Sequence, residues 1–230
     1  MPRRGKFITF EGLDGTGKST QMRKLAAALR ASGYKVVETR EPGGTSVGEK
    51  IRRVSLDSST QGLDPLAEMA LMFASRAQHI AEVIRPALDR GEIVLCDRFT
   101  DSTEAYQGSG RGLGREAVLT LHRVLCGNLQ PDLTLLLDSH PETSLGRARA
   151  RNRSTAELAR KKAKQHVDEN RFEQEHESFF LRVRGGYRAI ARSEPHRVVI
   201  VDAGGTPAET HSKIMEVIAR KMRLERKTVE

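Results

Sequence analysis

The run Gly12-Leu13-Asp14-Gly15-Thr16-Gly17-Lys18-Ser19 constrains this chain more than any other, because it joins an apolar stretch, Lys6 to Glu11, to a segment of helical period. Glycines at positions 12, 15 and 17 let the backbone turn tightly and aim several N–H groups inward. Such a nest holds phosphate oxygens at the positive end of a helix. Lys18 adds a mobile cation, and the Ser19 hydroxyl can sit on Mg²⁺ beside a carboxylate that ends a neighbouring strand. Asp97, directly after Ile93-Val94-Leu95-Cys96, fits that second position. With a strand before it and a helix after it, the stretch Gly12 to Thr20 reads as a nucleotide-binding phosphate loop.

Apolar runs of strand length recur downstream, each followed by a helical pattern, and this alternation implies parallel strands joined by crossover helices. The fold class is α/β. The expected strands are Lys6 to Glu11, Lys35 to Thr39, Ile93 to Cys96, Leu133 to Leu137 and Arg197 to Val201. Helices are expected over Lys18 to Ser32, Val47 to Val54, Pro65 to Asp89, Arg115 to Cys126, Pro141 to Arg151, Gln174 to Arg192 and Pro207 to Arg226. A chain of 230 residues fits one domain with its own core, 1–230, or one domain with a small appended lid. The Arg-, Lys- and Ala-rich patch from Arg147 to Asn170 reads as a helix continuation, a solvated face or such a lid.

A net charge of +9 and a pI near 9.9 suit phosphorylated small molecules, nucleic acid or an anionic membrane without choosing among them. Seven phenylalanines, three tyrosines and no tryptophan disfavour a stacking platform for single strands. Cys96 and Cys126 form no CxxC and have no matching histidine pair, so neither a disulfide framework nor a zinc site is expected, and a reduced, cytoplasmic setting is. No apolar run has signal or membrane-span length. A switch GTPase would need an NKxD-type guanine reader, and none occurs. Asp202-Ala203-Gly204-Gly205 matches DxxG, but it lies too late in the chain and reads as a turn.

Several further motifs occur in order: Phe10-Glu11-Gly12, Thr39-Arg40-Glu41-Pro42-Gly43-Gly44-Thr45, Ser75-Arg76-Ala77-Gln78-His79, and Asp97-Arg98-Phe99-Thr100-Asp101-Ser102 running on to Ala105-Tyr106-Gln107-Gly108. From Phe7 to about Ala208 the chain resembles the thymidylate kinases, whose fold is that of P-loop nucleoside monophosphate kinases: a five-stranded parallel sheet flanked by helices, with a small lid. The resemblance implies ATP and Mg²⁺ as cofactors, with Ser19 and Asp97 on the metal. It implies thymidine monophosphate as acceptor, no nucleic acid or membrane partner, and a homodimer paired through the helix Pro65 to Asp89.

The resemblance also implies roles for single residues. Lys18 and Arg98 belong to the catalytic set, Arg52 and Arg98 hold the acceptor phosphate, and Arg76 points toward a thymine carbonyl. Thr103 and Gln107 lie near the base edge, and Tyr106 sits by the sugar. Where the family usually stacks a phenylalanine on the base this chain has Met72, with Phe73 next to it, and either can take that place. Asp14 orients the site near the acceptor 3′-hydroxyl, while Glu41 acts nearby or on metal-bound water, a plain turn residue being the other reading. Because the phosphate loop contains no arginine, the lid 147–172 is expected to supply one, Arg151 or Arg171, although Asn152 to Glu169 is longer than the family's usual spacing. Val201 to Pro207 resembles the turn on which related kinases rest adenine.

Overall fold

The strands β1 (Lys6–Glu11), β2 (Val36–Arg40), β3 (Ile93–Asp97), β4 (Leu133–Asp138) and β5 (Val198–Asp202) pair in parallel in the order β2-β3-β1-β4-β5. Every strand lies within one residue of its expected ends. This computed structural model describes residues 4–60, 62–148, 150 and 171–222. β1 sits centrally because both of its faces are apolar: Ile8 and Phe10 point into one core, Phe7 into the other, and none of the three has exposed surface. Strands covered on both sides read as continuous apolar runs, which is how Lys6 to Glu11 appeared in the sequence.

The first core lies under α1 (Lys18–Ala31) and α9 (Pro207–Met222), which contribute Met22, Leu25 and Leu29, and Ile214, Val217 and Ile218. The second lies under α3 (Pro65–His79) and α6 (Arg115–Cys126), where Met69, Phe73 and Val118 meet Val94 and Cys96. Local chemistry sets the starts of two helices. Thr45 accepts from Gly48 N–H to cap α2 (Ser46–Leu56), and Asp64 accepts from Leu66 and Ala67 N–H to cap α3, with Pro65 in the first turn.

Two expected helices differ in detail, and one is new. The run Pro65 to Asp89 is not one regular helix: α3 widens into a π turn at Ile80–Ile84 before α4 (Arg85–Asp89). Pro86 has no N–H for a regular ladder bond and crowds the preceding turn, and a π turn absorbs such a defect without ending the helix. The helix expected from Gln174 starts later, as α8 (Glu177–Ser193), after a 3₁₀ turn at Arg171–Gln174. A helix not expected at all follows β3: α5 (Thr100–Thr103) runs straight into a π-helix, Glu104–Gly110. The helix expected at Pro141 is α7, 141–148; Arg151, Asn152 to Glu169 and the end of the last expected helix lie outside the described residues.

A buried polar chain fixes α5 to the sheet. Arg197 donates from Nη1 and Nη2 to the two Asp101 oxygens, each at 2.7 Å, and the Thr134 hydroxyl donates to Asp101 at 3.0 Å. Bidentate pairing of this kind fixes orientation as well as distance, so the segment carrying Arg98 is anchored from behind. No described helix is long and apolar enough to cross a membrane.

Candidate active site

The site lies beyond the carboxyl ends of β1, β3 and β4, in the crevice where parallel sheets bind ligands. Glycine is required in the loop. Gly15 has φ of 84°, and a Cβ there would stand 1.9 Å from the Ser144 carbonyl oxygen of α7. α1 starts with Gly17 at its cap, no capping side chain and no acidic residue in its first turn, which leaves its N–H groups open to an anion. Lys18 is buried and donates to the carbonyls of Gly12 at 3.0 Å and Leu13 at 2.9 Å. Burial, then the nearby Arg98 charge, lowers its amine to about 8.

Ser19 Oγ donates to Asp97 Oδ2 at 2.7 Å, while Asp97 Oδ1 is buried and has no hydrogen-bond partner among the described residues. The two predicted metal residues are therefore side by side, with an unused carboxylate oxygen. Hydroxyl plus carboxylate is the hard oxygen set that suits Mg²⁺.

Arg98 turns into the site at φ 71°, in the left-handed region. Its Nη2 donates to Asp14 Oδ1 at 2.8 Å and to Tyr106 OH at 3.3 Å, and its Nη1 to Ser102 Oγ and Tyr187 OH, both at 3.1 Å. Its Cζ lies 5.0 Å from the Tyr106 ring centroid. Burial works against the charge, but Asp14 and the surrounding phenols and carboxylates outweigh it and raise the arginine well above its usual value. Asp14 Oδ1 also lies 3.9 Å from Lys18 Nζ, so one carboxylate bridges the two predicted phosphate cations.

Beneath this pair Glu11 is fully buried. It accepts from Phe99 N–H at 2.7 Å, Ser102 Oγ at 2.5 Å and Tyr187 OH at 3.0 Å. Burial, then the Asp101 charge, pushes its carboxyl up to about 7. Sequence reasoning quoted Glu11 and Ser102 without a role and did not find Tyr187. A glutamate closing an otherwise apolar strand was the available signal.

Among the residues predicted to bind the acceptor, Arg76 is held by Nε to Glu41 Oε2 at 2.6 Å, and by Nη2 to Phe99 O and Thr103 Oγ1, both at 3.0 Å. Its guanidinium lies between the Phe73 and Phe99 rings, 5.0 and 5.1 Å from their centroids. Nη1 is buried without a partner among the described residues. Burial opposes ionisation of Glu41, but Arg76 and His79 hold its carboxyl below the usual range. Arg52 Nη1 donates to Pro42 O at 3.0 Å, which brings it to the same loop. Phe73 has no exposed surface and belongs to the second core; Met72 is buried beside it at 7% exposure.

The structure places two predicted residues elsewhere. Gln107 Nε2 donates to Glu68 Oε1 at 2.7 Å, and Arg171 Nη2 donates to Glu68 Oε2 at 2.7 Å, with Arg171 Nε on Ser55 O. Arg111 Nη2 joins them at 3.1 Å from Glu68 Oε2. Arg171 is therefore packed on a buried carboxylate rather than brought to the phosphate loop. Around Val201 to Pro207, Arg147 Nη1 reaches Ala203 O at 3.4 Å and Gln21 Nε2 donates to Pro207 O at 2.8 Å, which ties that turn to α7 and α1.

A thymidylate kinase family model matches residues 10–214. The chain belongs to the thymidylate kinase family. It is 50% identical over 216 residues to the thymidylate kinase of Trichlorobacter lovleyi, covering 94% of this chain and 98% of that one. To the thymidylate kinase of Pseudomonas syringae pv. tomato it is 47% identical over 222 residues, 96% and 99% of the two chains. The crystal structure of thymidylate kinase from Ehrlichia chaffeensis superposes with a TM-score of 0.72 at 32% identity, over 94% of this chain and 99% of that one. The family is that of the resemblance drawn from the motifs, and the five parallel strands are those of its P-loop fold.

Proposed function

We propose that this chain transfers the γ-phosphoryl group of ATP to dTMP, giving dTDP and ADP in the supply of dTTP. The observation that carries the reading is the Asp14 bridge between Lys18 and Arg98. Transfer between two anionic nucleotides needs cations on both sides of the moving group, locked in a common frame so that they need not reorganise as charge spreads. Lys18 and the N–H groups of Gly12 to Thr20 hold the ATP phosphates, while Arg98 and Arg52 hold the dTMP phosphate. Asp14 orients rather than abstracts, because the acceptor is already an anion.

Ser19 and Asp97 would hold Mg²⁺. The unpaired Asp97 oxygen supports this, and the ion when bound neutralises phosphate charge. At the base, the unpaired Nη1 of Arg76 donates to a thymine carbonyl, Thr103 lines the edge, Met72 packs on the ring and Tyr106 lies by the sugar. In a single domain with a lid over 147–172, Arg151 and Arg171 supply the remaining positive charge, and Arg171 has to leave Glu68 to do so. A homodimer fits α3, whose exposed side chains Leu66, Ala67, Ala70 and Ala74 form a small apolar stripe.

The deciding experiment measures ADP formation with each nucleoside and deoxynucleoside monophosphate, with and without DNA. dTMP is expected to give the highest kcat/KM and DNA no stimulation. ATP use that ignored dTMP but rose with DNA would make the protein a nucleic-acid ATPase instead. For the lid, Arg171→Ala is expected to lower kcat by about tenfold to a hundredfold with a smaller change in KM for dTMP. Equal losses in both parameters would mark Arg171 as an anchor for Glu68 only.

A further inference from the structure

The motif Ser75 to His79 enters the site through Arg76, yet its last residue serves none of the roles assigned so far. His79 is fully buried three residues after Arg76, on the same face of α3. Its Nδ1 lies 2.9 Å from Glu41 Oε1, and its Nε2 lies 2.6 Å from Thr39 Oγ1. A carboxylate can only accept, so Nδ1 carries the hydrogen of the first bond. The ring also packs against the loop itself, since a Cβ on Gly44 would stand 2.7 Å from Nε2. His79 thus ties three points of the segment Thr39 to Gly44 to α3, and Glu41 is the middle one.

Glu41 passes this constraint to Arg76. Its second oxygen takes Arg76 Nε at 2.6 Å, and Nη2 is already committed to Phe99 O and Thr103. A planar guanidinium held at Nε and Nη2 has its plane fixed, so the direction of the remaining Nη1 is fixed too. That nitrogen is buried and has no hydrogen-bond partner among the described residues. Glu41, His79 and Cys96 also bring ligand-type atoms within 4.8 Å of one another, but both Glu41 oxygens are engaged and Cys96 Sγ donates to Arg98 O. The cluster is built for holding geometry rather than for coordination.

We propose that His79 is a positioning residue of the acceptor site, holding Glu41 so that Arg76 presents Nη1 to the acceptor base. The proposal rests on the reading that dTMP is the acceptor. His79 touches neither nucleotide; its effect is read in how well dTMP is held.

The test compares His79→Leu with His79→Asn. Asparagine carries Nδ2 where histidine carries Nδ1, so it keeps the donor to Glu41 and loses the Thr39 bond together with the ring's packing on Gly44. Wild-type turnover with dTMP is measured first, and its absence would sink the acceptor reading rather than this inference. His79→Leu is expected to raise KM for dTMP about tenfold to a hundredfold, the usual effect of losing a buried bond to a charged group. KM for ATP should stay within about twofold, because the phosphate loop is untouched. His79→Asn should recover KM for dTMP to within about threefold of wild type, although its melting temperature falls with the lost Thr39 bond. The inference is overturned if KM for dTMP in a folded His79→Leu stays at the wild-type value. It is equally overturned if His79→Asn holds dTMP no better than His79→Leu. Should the leucine variant fail to fold, the asparagine variant decides alone: a wild-type-like KM for dTMP supports the relay, and a tenfold rise ends it.

Discussion

Replacing Lys18 by alanine is expected to lower phosphoryl transfer by about a thousandfold or more, with little loss of apo-protein stability. The two effects have one cause. Lys18 is buried, hydrogen-bonded to two carbonyls and 3.9 Å from Asp14, so its charge is poorly compensated until phosphate arrives. Burial has already lowered the amine to about 8. The unfolded chain therefore binds the proton more tightly, and stability from this group rises as pH passes above about 8. ATP reverses the sign. Its phosphates favour the ammonium, so ATP binding above pH 8 must take up a proton, and KM for ATP should climb as pH rises through that value. Lys18→Arg cannot titrate there and should flatten the climb, even where its longer fork lowers kcat. Steady-state kinetics from pH 6 to 10, with urea unfolding of Lys18→Ala at pH 7, check both arms. An alanine variant that kept a tenth of wild-type turnover, or a wild-type KM for ATP flat to pH 10, would remove Lys18 from the phosphate grip.

The phosphate loop was legible because its chemistry is local. Gly15 needs a positive φ and room for a neighbouring backbone, Lys18 follows at a set spacing, and a strand must lead in; each can be read within a dozen residues. Asp97 was legible for a related reason, since parallel strands end together at one edge and a carboxylate closing an apolar run lands there. The π-helix Glu104–Gly110 was not. Gly108, Ser109 and Gly110 have the composition of a loop, and only packing against α8 makes them helical: a Cβ on Gly110 would come within 2.7 Å of Phe179, and one on Gly186 within 2.5 Å of Ser109 Oγ. Tertiary context overrode propensity there.

Glu68 was hidden by the opposite problem. It sits within the apolar stretch Pro65-Leu66-Ala67-Glu68-Met69-Ala70-Leu71-Met72-Phe73, where a single carboxylate reads as the wet face of a helix. In the structure it is fully buried because Arg171, Arg111 and Gln107 arrive from distant parts of the chain to satisfy it. Nothing in local sequence announces partners 39 and 103 residues away. The choice between Met72 and Phe73 likewise depended on which side of α3 meets the sheet. A pattern of adjacent apolar residues does not show which ring is the fully buried one, and that ring is Phe73.

Arg98 joins these threads, because function and strain meet at one residue. Its backbone is held at φ 71°, a conformation that costs a non-glycine residue about 1–2 kcal/mol. The fold maintains it by holding the neighbours: Arg98 N–H donates to Phe10 O, Phe99 N–H to Glu11, and Asp101 is clamped by Arg197. What the strain secures is a guanidinium aimed at Asp14 and flanked by Tyr106, Tyr187 and Ser102. Arg98→Ala is expected to lower kcat/KM for dTMP by about a thousandfold, through loss of a charge-assisted grip on the acceptor phosphate and of transition-state stabilisation. Arg98→Gly should be as inactive, yet more stable than Arg98→Ala by about 1 kcal/mol in urea unfolding, because glycine accepts the positive φ without penalty. Arg98→Lys keeps the charge but not the forked geometry and should fall between alanine and wild type in rate. Alanine and glycine variants of equal stability would show that the backbone is not strained at this position. An alanine variant with near-normal kcat/KM for dTMP would place the acceptor phosphate somewhere other than beside Arg98, and the bridging role of Asp14 would fall with it.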